Sequence, residues 1–471
     1  MRVKMPFIGD TAQSRVTSAN TQVSINLYPK LEKAQSRNVI GLYSTPGLRS
    51  LFSAGLGPCR SQGVEFNGNL YFVSGNNLIK ITSNLVATQV GTLTTTSGRC
   101  GITAGRDYLM VVDGTNGYYF DGAAFTQIVD ADFPVADYVA WLDGYFIVNS
   151  HGTDKWHISA IDNPASWAAL DFAQAEARPD LIRRVEVLDG KVWAFGDLTT
   201  QAFWESGNAA FPFDPILPNG VFEWGLMAVD SLAKNENSFM FLAKNERGDA
   251  VVLLISGLQA QVISDRDLEW QINSLATLTD AQGFFYRQSG ETFYVLTFPA
   301  GGVTHVYDFA TGLWHTRRSS GLGRWRPAGY GIIGSTHIVG DYLSNKFYEL
   351  DFDTHTDNGE TITRLRRGPV MSDKNNRIFF NRVEILFEAG VGLITGQGSD
   401  PQAMLRWSDD GGYTWSNERW VSIGAIGERR WRAVWNQLGW SLGRVFEVSI
   451  SDPVPVTIMD AYADIEVDGE E

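Results

Sequence analysis

Short apolar runs alternate with small polar turns along most of the chain. One phrase returns seven times: a turn of small polar residues, then four to six apolar or aromatic residues, then another turn. The copies follow one another at roughly 40-residue spacing. They begin at Asn67, Arg106, Asp143, Asp189, Asn237, Gly290 and Gly334. A strand repeat of this period is typical of a β-propeller, in which each repeat forms one blade of a radial ring.

Further strand candidates follow the phrase inside each repeat. Residue pairs such as Asn76-Asn77, Asp121-Gly122 and Thr311-Gly312 stand between two apolar runs. Such pairs favour the tight turns of β-hairpins. Six repeats are clear, and a seventh, shorter one covers about 326–352. We therefore predict an all-β fold with a β-propeller of six or seven blades over residues 56–352.

The two flanks of the repeat region differ from it. Residues 1–55 alternate only modestly, which indicates an extended N-terminal arm, a candidate for the outer edge of a blade. A polar break at 353–359 follows the repeats, and several short alternating strands then fill 360–471. This last pattern predicts a C-terminal β-sandwich-like domain.

Composition narrows the function classes. The chain has 471 residues, a formal net charge of -15 and two cysteines, Cys59 and Cys100. The negative charge argues against sequence-independent DNA binding, which needs an excess of Lys and Arg. We expect both cysteines to be reduced, and we expect neither a secretion signal nor a membrane-spanning segment.

Recognisable catalytic or metal-binding motifs are not apparent. The histidines lack the spacing of zinc ligands, so we expect no catalytic, cofactor-binding or metal-binding residues and no cofactor. Ser408–Trp415 resembles an Asp-box, a hairpin in which an aspartate caps the turn and a tryptophan covers it. We interpret this single copy, outside the repeats, as a structural turn.

Two basic clusters stand out against the acidic mean and are the candidate interface. One interpretation is a solvated strand face or ion pairs with the abundant carboxylates. A second is contact with an acidic neighbouring subunit, because Arg and Trp are favoured interface anchors. Contact with passing nucleic acid is a third. The residues are Arg364, Arg366 and Arg367 in the first cluster and Arg429, Arg430, Trp431 and Arg432 in the second.

Several short motifs resemble a known family. Ile25–Pro29, Thr45–Leu48 and Gly63–Tyr71 are similar to segments of the packaged-DNA stabilisation proteins of short-tailed bacteriophages, which are tail hub or nozzle subunits and tail accessory factors. The order of parts also matches: an extended start, a propeller-like middle and a C-terminal β-domain. The resemblance therefore extends over nearly the whole chain.

The resemblance implies a structural virion protein and not an enzyme. Such hub proteins assemble as a ring, usually a homohexamer, below the portal and its adaptor ring. The ring extends the DNA channel, helps to retain packaged DNA until ejection, and anchors the tail needle or plug and the fibres or tailspikes. DNA passes through without sequence-specific binding, which an acidic lumen favours because like charges repel. The expected location is the phage tail, after assembly in the host bacterial cytoplasm.

Two alternatives remain open on the sequence. A sialidase-like propeller that hydrolyses glycans is suggested by the Asp-box phrase and by aromatic residues able to stack on sugars. Such an enzyme is expected to carry several Asp-boxes inside its repeats and three convergent arginines, whereas this chain has one box outside them. The other alternative is an unrelated cellular propeller that serves as an interaction scaffold.

Overall fold

β-Strands make up nearly all of the regular structure in the computed structural model. It describes residues 1–16, 20–31, 40–174, 180–208, 210–244 and 247–468. Within these ranges the helical structure is one α-helix, Arg266–Asn273, and one 3-10 turn, Val229–Ser231. The side chain of Asp265 caps the α-helix by accepting a hydrogen bond from the Leu268 amide. The protein is therefore all-β, as the strand repeat predicts.

Seven antiparallel sheets form a ring in the described part of the chain, and we number them as blades in chain order. Blade 1 contains Val64–Phe66, Asn69–Ser74, Asn77–Ile81 and Ala87–Thr92; blade 2 contains Gly101–Ala104, Leu109–Val112, Gly117–Phe120 and Phe125–Gln127; blade 3 contains Val139–Leu142, Tyr145–Asn149, Lys155–Ala160 and Asn163–Gln174. Blade 4 contains Ile182–Leu188, Lys191–Gly196, Thr200–Glu205, Phe213–Pro215 and Val221–Phe222; blade 5 contains Gly225–Leu226, Ala233–Asn235, Ser238–Lys244, Ala250–Ser256 and Gln259–Val262.

The last two blades adjoin the C-terminal domain. Blade 6 contains Gln282–Gln288, Glu291–Phe298, Val303–Asp308 and Leu313–Thr316. Blade 7 contains Pro327–Ile333, Thr336–Asp341, Lys346–Asp351 and the N-terminal strand Gly47–Ser53, extended by Thr356–Asp357 and Glu360–Thr361. Blade 7 thus completes its sheet with a strand from the start of the chain.

The repeated turns have the backbone conformation that tight hairpins require. Asn67 and Gly68 have φ of 48° and 70°, and Asp143 and Gly144 have φ of 48° and 93°. Two consecutive residues with positive φ favour Asn or Asp followed by Gly. The polar turn of the repeat phrase is therefore the link between the first and second strands of a blade.

Apolar side chains fill the space between each pair of neighbouring blades. The second strand of blade 2, Leu109–Val112, is completely buried because blades cover it on both faces. The core between blades 7 and 1 contains Phe72 and Phe347, which pack with ring centroids 5.3 Å apart. This contact joins the last blade to the first and closes the ring.

The C-terminal domain is a sandwich of two sheets that share one apolar core. The first sheet contains Leu27–Leu31, Ile40–Ser44, Thr457–Val467, Ile378–Phe387 and Ala433–Asn436, with Arg2–Lys4 and Trp440–Ser441 at its sides. The second contains Thr21–Ile25, Arg364–Arg367, Gly443–Ile450, Gln402–Ser408 and Arg419–Ser422, with Ala12–Gln13 and Met371–Ser372 at its sides.

The N-terminal residues belong to both folded units. Strands between Arg2 and Ser44 join the two sandwich sheets, and Gly47–Ser53 then joins blade 7. The blade strand occupies the outer-edge position for which the arm is a candidate. As domain boundaries, the ranges 1–55, 56–352 and 360–471 stay a prediction.

The propeller and the sandwich meet at a buried junction. Ile25 of the second sandwich sheet pairs with Thr316, which continues the sheet into blade 6. Arg317 is buried beside this bridge, donates a 2.6 Å hydrogen bond to the Pro46 carbonyl, and lies 3.5 Å from the centre of the Trp325 ring. The two units are therefore joined by both backbone pairing and a buried cation.

A substitution of Leu48 tests the contribution of Gly47–Ser53, the N-terminal strand that completes blade 7. Its side chain is fully buried, so we expect Leu48→Ala to destabilise the protein by about 2 to 5 kcal/mol through lost burial and the cavity left behind. Denaturant-induced unfolding provides the measurement. Arg49→Ala is the control, because the Arg49–Glu349 ion pair on the same strand is exposed and contributes at most about 1 kcal/mol. Equal costs for the two variants contradict this role of Leu48.

A substitution of His315 tests the buried junction between the propeller and the sandwich. Its ring is buried between Tyr28 and Phe293, and neither ring nitrogen has a hydrogen-bond partner. Burial, reinforced by Arg317 and His305, holds its pKa well below the usual value. The folded protein therefore resists protonation of His315. Above about pH 6.5 this has no effect on the free energy of unfolding, and below it His315 lowers that free energy further as the pH falls.

We expect His315→Phe to remove that cost. The stability gained over the wild type should grow by about 1.4 kcal/mol for each pH unit below 6.5. Urea unfolding at neutral and mildly acidic pH measures this difference. Parallel stability curves for the two proteins would show that His315 does not carry the pH dependence.

Candidate functional site: an arginine and tryptophan edge

The first basic cluster lies mainly inside the protein. Arg364 and Arg366 are completely buried, and Arg367 is partly buried on the same strand. This corrects the sequence interpretation of a surface cluster. The physical reason differs along the strand: the N-terminal segment covers Arg366, and the buried Arg364 donates a hydrogen bond to the Asp452 carbonyl.

Arg366 binds that N-terminal segment directly. Its guanidinium donates hydrogen bonds to the carbonyls of Phe7 and Asp10, both at 2.6 Å, and to Oε1 of Gln22 at 2.5 Å. Burial lowers the pKa of Arg366 to about 10, and Asp10 opposes that shift. Arg366 is therefore a structural cation that fixes the first residues of the chain.

Arg367 belongs to a network around the Asp-box hairpin. Arg367 and Arg406 both pair with Glu447, and both guanidinium groups lie 4.7 Å from the Trp415 ring centre. Within the hairpin, the Asp410 carboxylate accepts hydrogen bonds from Ser408 and from the amides of the following turn. These bonds hold the pKa of Asp410 well below its usual range. The hairpin is a locally stabilised turn, in keeping with its structural interpretation.

The second basic cluster is on the surface. Arg429, Arg430 and Arg432 are exposed, and Trp431 is 45% exposed. Among the described residues, Arg429 and Arg430 have no ion-pair partner, whereas Arg432 lies 3.6 Å from the buried Glu384. The Trp431 indole donates a 2.8 Å hydrogen bond to the Ser422 carbonyl, which orients the ring.

The same cluster adjoins the last strand of the second sandwich sheet. That strand, Arg419–Ser422, presents Trp420 with 62% of its surface exposed, and Ile426 is 56% exposed in the loop that follows. Exposed Trp and Arg in one patch are the composition of interface anchors. We call this surface the Arg–Trp edge; it comprises Arg419, Trp420, Ile426, Arg429, Arg430, Trp431 and Arg432.

The sequence interpretation missed Arg419, Trp420 and Ile426. Arg419-Trp420 has the same Arg-beside-Trp composition as Arg430-Trp431, and this was the available signal. Their adjacency is set by the loop between two edge strands, which the sequence does not reveal.

The propeller axis contains a second polar region. A cavity of about 480 Å³ is lined by the innermost strands of the blades. Its charges pair internally: Arg184 binds Glu186, and the Tyr138 hydroxyl donates a 2.7 Å hydrogen bond to Asp230. Burial opposes ionisation of Glu186, but Lys234 and Arg184 outweigh burial and lower its pKa. The Tyr138–Asp230 bond and the Lys234–Glu186 ion pair link different blades, whereas Arg184 and Glu186 lie on one strand of blade 4.

The reactive side chains in the other described parts of the structure do not form a common site. Cys59 and Cys100 are free and buried, and burial raises their pKa values to about 11 and about 12, which makes the thiols poor nucleophiles. In the described part of the chain, no group of three His, Cys, Asp or Glu residues is arranged to hold a metal ion. None of the helices described there is long and apolar enough to cross a membrane.

The fold and the exposed edge define a two-part β-scaffold whose distinctive surface is suited to protein contact. Comparison with known families identifies the class. The model of the bacteriophage P22 Gp10 β-propeller matches residues 3–355, and the model of the bacteriophage P22 Gp10 β-sandwich matches residues 363–466. The chain belongs to the bacteriophage P22 Gp10 family and is a structural protein of the phage tail.

Other comparisons add only distant likeness. The WD40 domain of Neurospora crassa Pan2 is 10% identical with a TM-score of 0.43, and the similarity covers 66% of this chain and 95% of that one. The computationally designed Ika8 protein is 12% identical with a TM-score of 0.39, and the coverage is 73% and 100%. Similarities this weak say nothing about function. No curated protein matches the sequence significantly.

The two arginine clusters respond differently to substitution. We expect Arg366→Lys to cost about 3 kcal/mol or more, because a lysine cannot reach all three acceptors and leaves buried carbonyls unpaired. Arg430→Ala, the surface control, should change stability by no more than about 0.5 kcal/mol. Denaturant unfolding compares the two. Similar costs would contradict the assignment of one arginine to the interior and the other to the surface.

Proposed function

We propose that this protein is a hub or nozzle subunit of a short phage tail, which forms a ring below the portal and its adaptor. The observation that carries the proposal is that both folded units match those of bacteriophage P22 Gp10 in the same order along the chain. In this role the ring extends the DNA channel and helps to retain the packaged genome. A homohexamer is the ring size that we propose.

The physical character of the protein supports such a role. The ring of blades is closed by apolar cores between neighbours, which suits a part that must keep its shape under load. The Arg–Trp edge offers to a partner exposed aromatic rings and two arginines, Arg429 and Arg430, that have no ion-pair partner among the described residues. The net charge of -15 disfavours adhesion of DNA, so the duplex can pass without being held.

We further propose the partners that this position requires. The ring contacts the adaptor proteins above it and carries a needle or plug that stops the channel. Tail fibres or tailspikes attach to the outside of the ring. No catalytic role is proposed: the one Asp-box lies in the sandwich, outside the blades, and its aspartate is occupied in capping its own turn.

A phage lacking the gene tests the function. We expect its heads to package DNA and then lose it, because the channel below the portal has no ring to carry the plug. Particle sedimentation and measurement of encapsidated DNA report the outcome. Plasmid-borne wild-type protein should restore filled, infectious particles. Mutant particles that keep their DNA and infect normally would overturn the proposal.

A further inference from the structure

The charge of this protein is separated along the chain. Residues 101–300 hold 27 Asp and Glu against 11 Lys and Arg, a net charge of -16, whereas all the other residues together carry +1. In contrast, residues 419–432 of the Arg–Trp edge contain four arginines and one glutamate, a net charge of +3. Each molecule therefore has an acidic part and a basic part, and the acidic part of one copy can attract the basic part of another.

Blade 3, within the acidic part, lies at the opposite end of the molecule from the Arg–Trp edge. The sandwich joins blade 6 through the Ile25–Thr316 pairing, and the chain passes from Ile40–Ser44 of the sandwich directly to Gly47–Ser53 of blade 7. In a ring of seven blades, blade 3 lies directly across the axis from that junction. The Arg419–Ser422 strand ends the second sandwich sheet, five strand spacings or about 24 Å beyond blade 6.

Blade 3 has the properties of a complementary surface. Residues 130–174 contain seven aspartates and one lysine, a net charge of -6. Its outer strand, Asn163–Gln174, has twelve residues and pairs on one side only among the residues that the structure describes. Leu170 on this strand is 84% exposed, and Ile161 beside it is 62% exposed. A long exposed edge strand with apolar side chains is a surface that proteins normally cover.

We propose that the Arg–Trp edge of one copy docks on the outer face of blade 3 of the next copy. This inference rests on the proposed ring and names the contact that builds it. The two surfaces differ, so the contact is head-to-tail, and a repeated head-to-tail contact closes into a ring when its rotation permits. Arg429 and Arg430 then pair with aspartates of the neighbour, and Trp420 covers its exposed aliphatic side chains.

The apolar content favours protein over nucleic acid as the occupant. Phosphate binding relies on cations, whereas here Trp420 and Ile426 expose more than half of their surfaces beside the arginines. Blade 3, on the far side of the propeller, supplies both carboxylates and aliphatic groups. Binding of DNA to the Arg–Trp edge is the competing outcome in the test.

Charge reversal on each surface tests the contact. The edge variant is Arg429→Glu with Arg430→Glu, and the blade variant is Asp132→Lys with Asp171→Lys, all in the full chain. We expect each variant to self-associate about 10 to 100-fold more weakly than wild type, as measured by sedimentation velocity over a concentration series. A chain with all four changes should regain association, because every contact again joins opposite charges. Lys80→Glu with Arg287→Glu is the matched control for the edge variant, because it lowers the net charge by the same four units at other sites.

The outcomes separate the two proposals. A wild-type chain that remains monomeric at every concentration overturns the ring itself. If the wild type forms a ring and both variants self-associate as tightly as it does, the blade 3 contact is overturned and the ring is not. The same holds if the chain with all four changes does not regain self-association. Fluorescence anisotropy with a labelled DNA duplex tests whether DNA binds to the Arg–Trp edge. Duplex binding that the edge variant abolishes, together with unchanged self-association, also overturns the contact.

Discussion

Closure of the blade ring by an N-terminal strand is the constraint on which the rest of the structure depends. Lys346–Asp351 would otherwise end blade 7 as an exposed edge, and Gly47–Ser53 covers it in antiparallel pairing. The chain reaches this strand directly from Ile40–Ser44 of the sandwich. A single connection therefore completes the propeller and commits the preceding residues to the sandwich, so the sandwich is built from two separate segments and the propeller occupies the stretch between them.

This interlacing explains why Arg366 of the first cluster is buried. Arg366 compensates for loss of hydration with carbonyl and amide acceptors from the N-terminal residues, and those residues gain a fixed position in return. Arg430 has no such acceptors among the described residues and stays hydrated at the surface. The same residue type thus serves the fold in one place and remains available for contact in the other.

The sequence predicts the propeller well because the pattern that indicates each hairpin lies within a few neighbouring residues. A turn such as Asn67-Gly68 and the apolar run after it determine one hairpin, and the repeat spacing extends that inference to the ring. The burial of Arg366 depends on a segment more than 300 residues earlier, so no local pattern reveals it. The Arg–Trp edge was predicted only in part, since its members come together through the loop that joins two edge strands.

The junction determines how a load on one unit reaches the other. In the proposed ring, one neighbour contacts the sandwich and the other contacts blade 3 of the propeller, so a flexible hinge between the two units would let the ring deform. The shared sheet at Ile25 and Thr316 removes such a hinge, and the buried Arg317 fixes the loop at Pro46 against blade 6. Because bending there would separate a buried cation from its acceptors, the two units resist rotation as one body. A docking contact at the Arg–Trp edge can therefore set the orientation of the whole propeller in the ring.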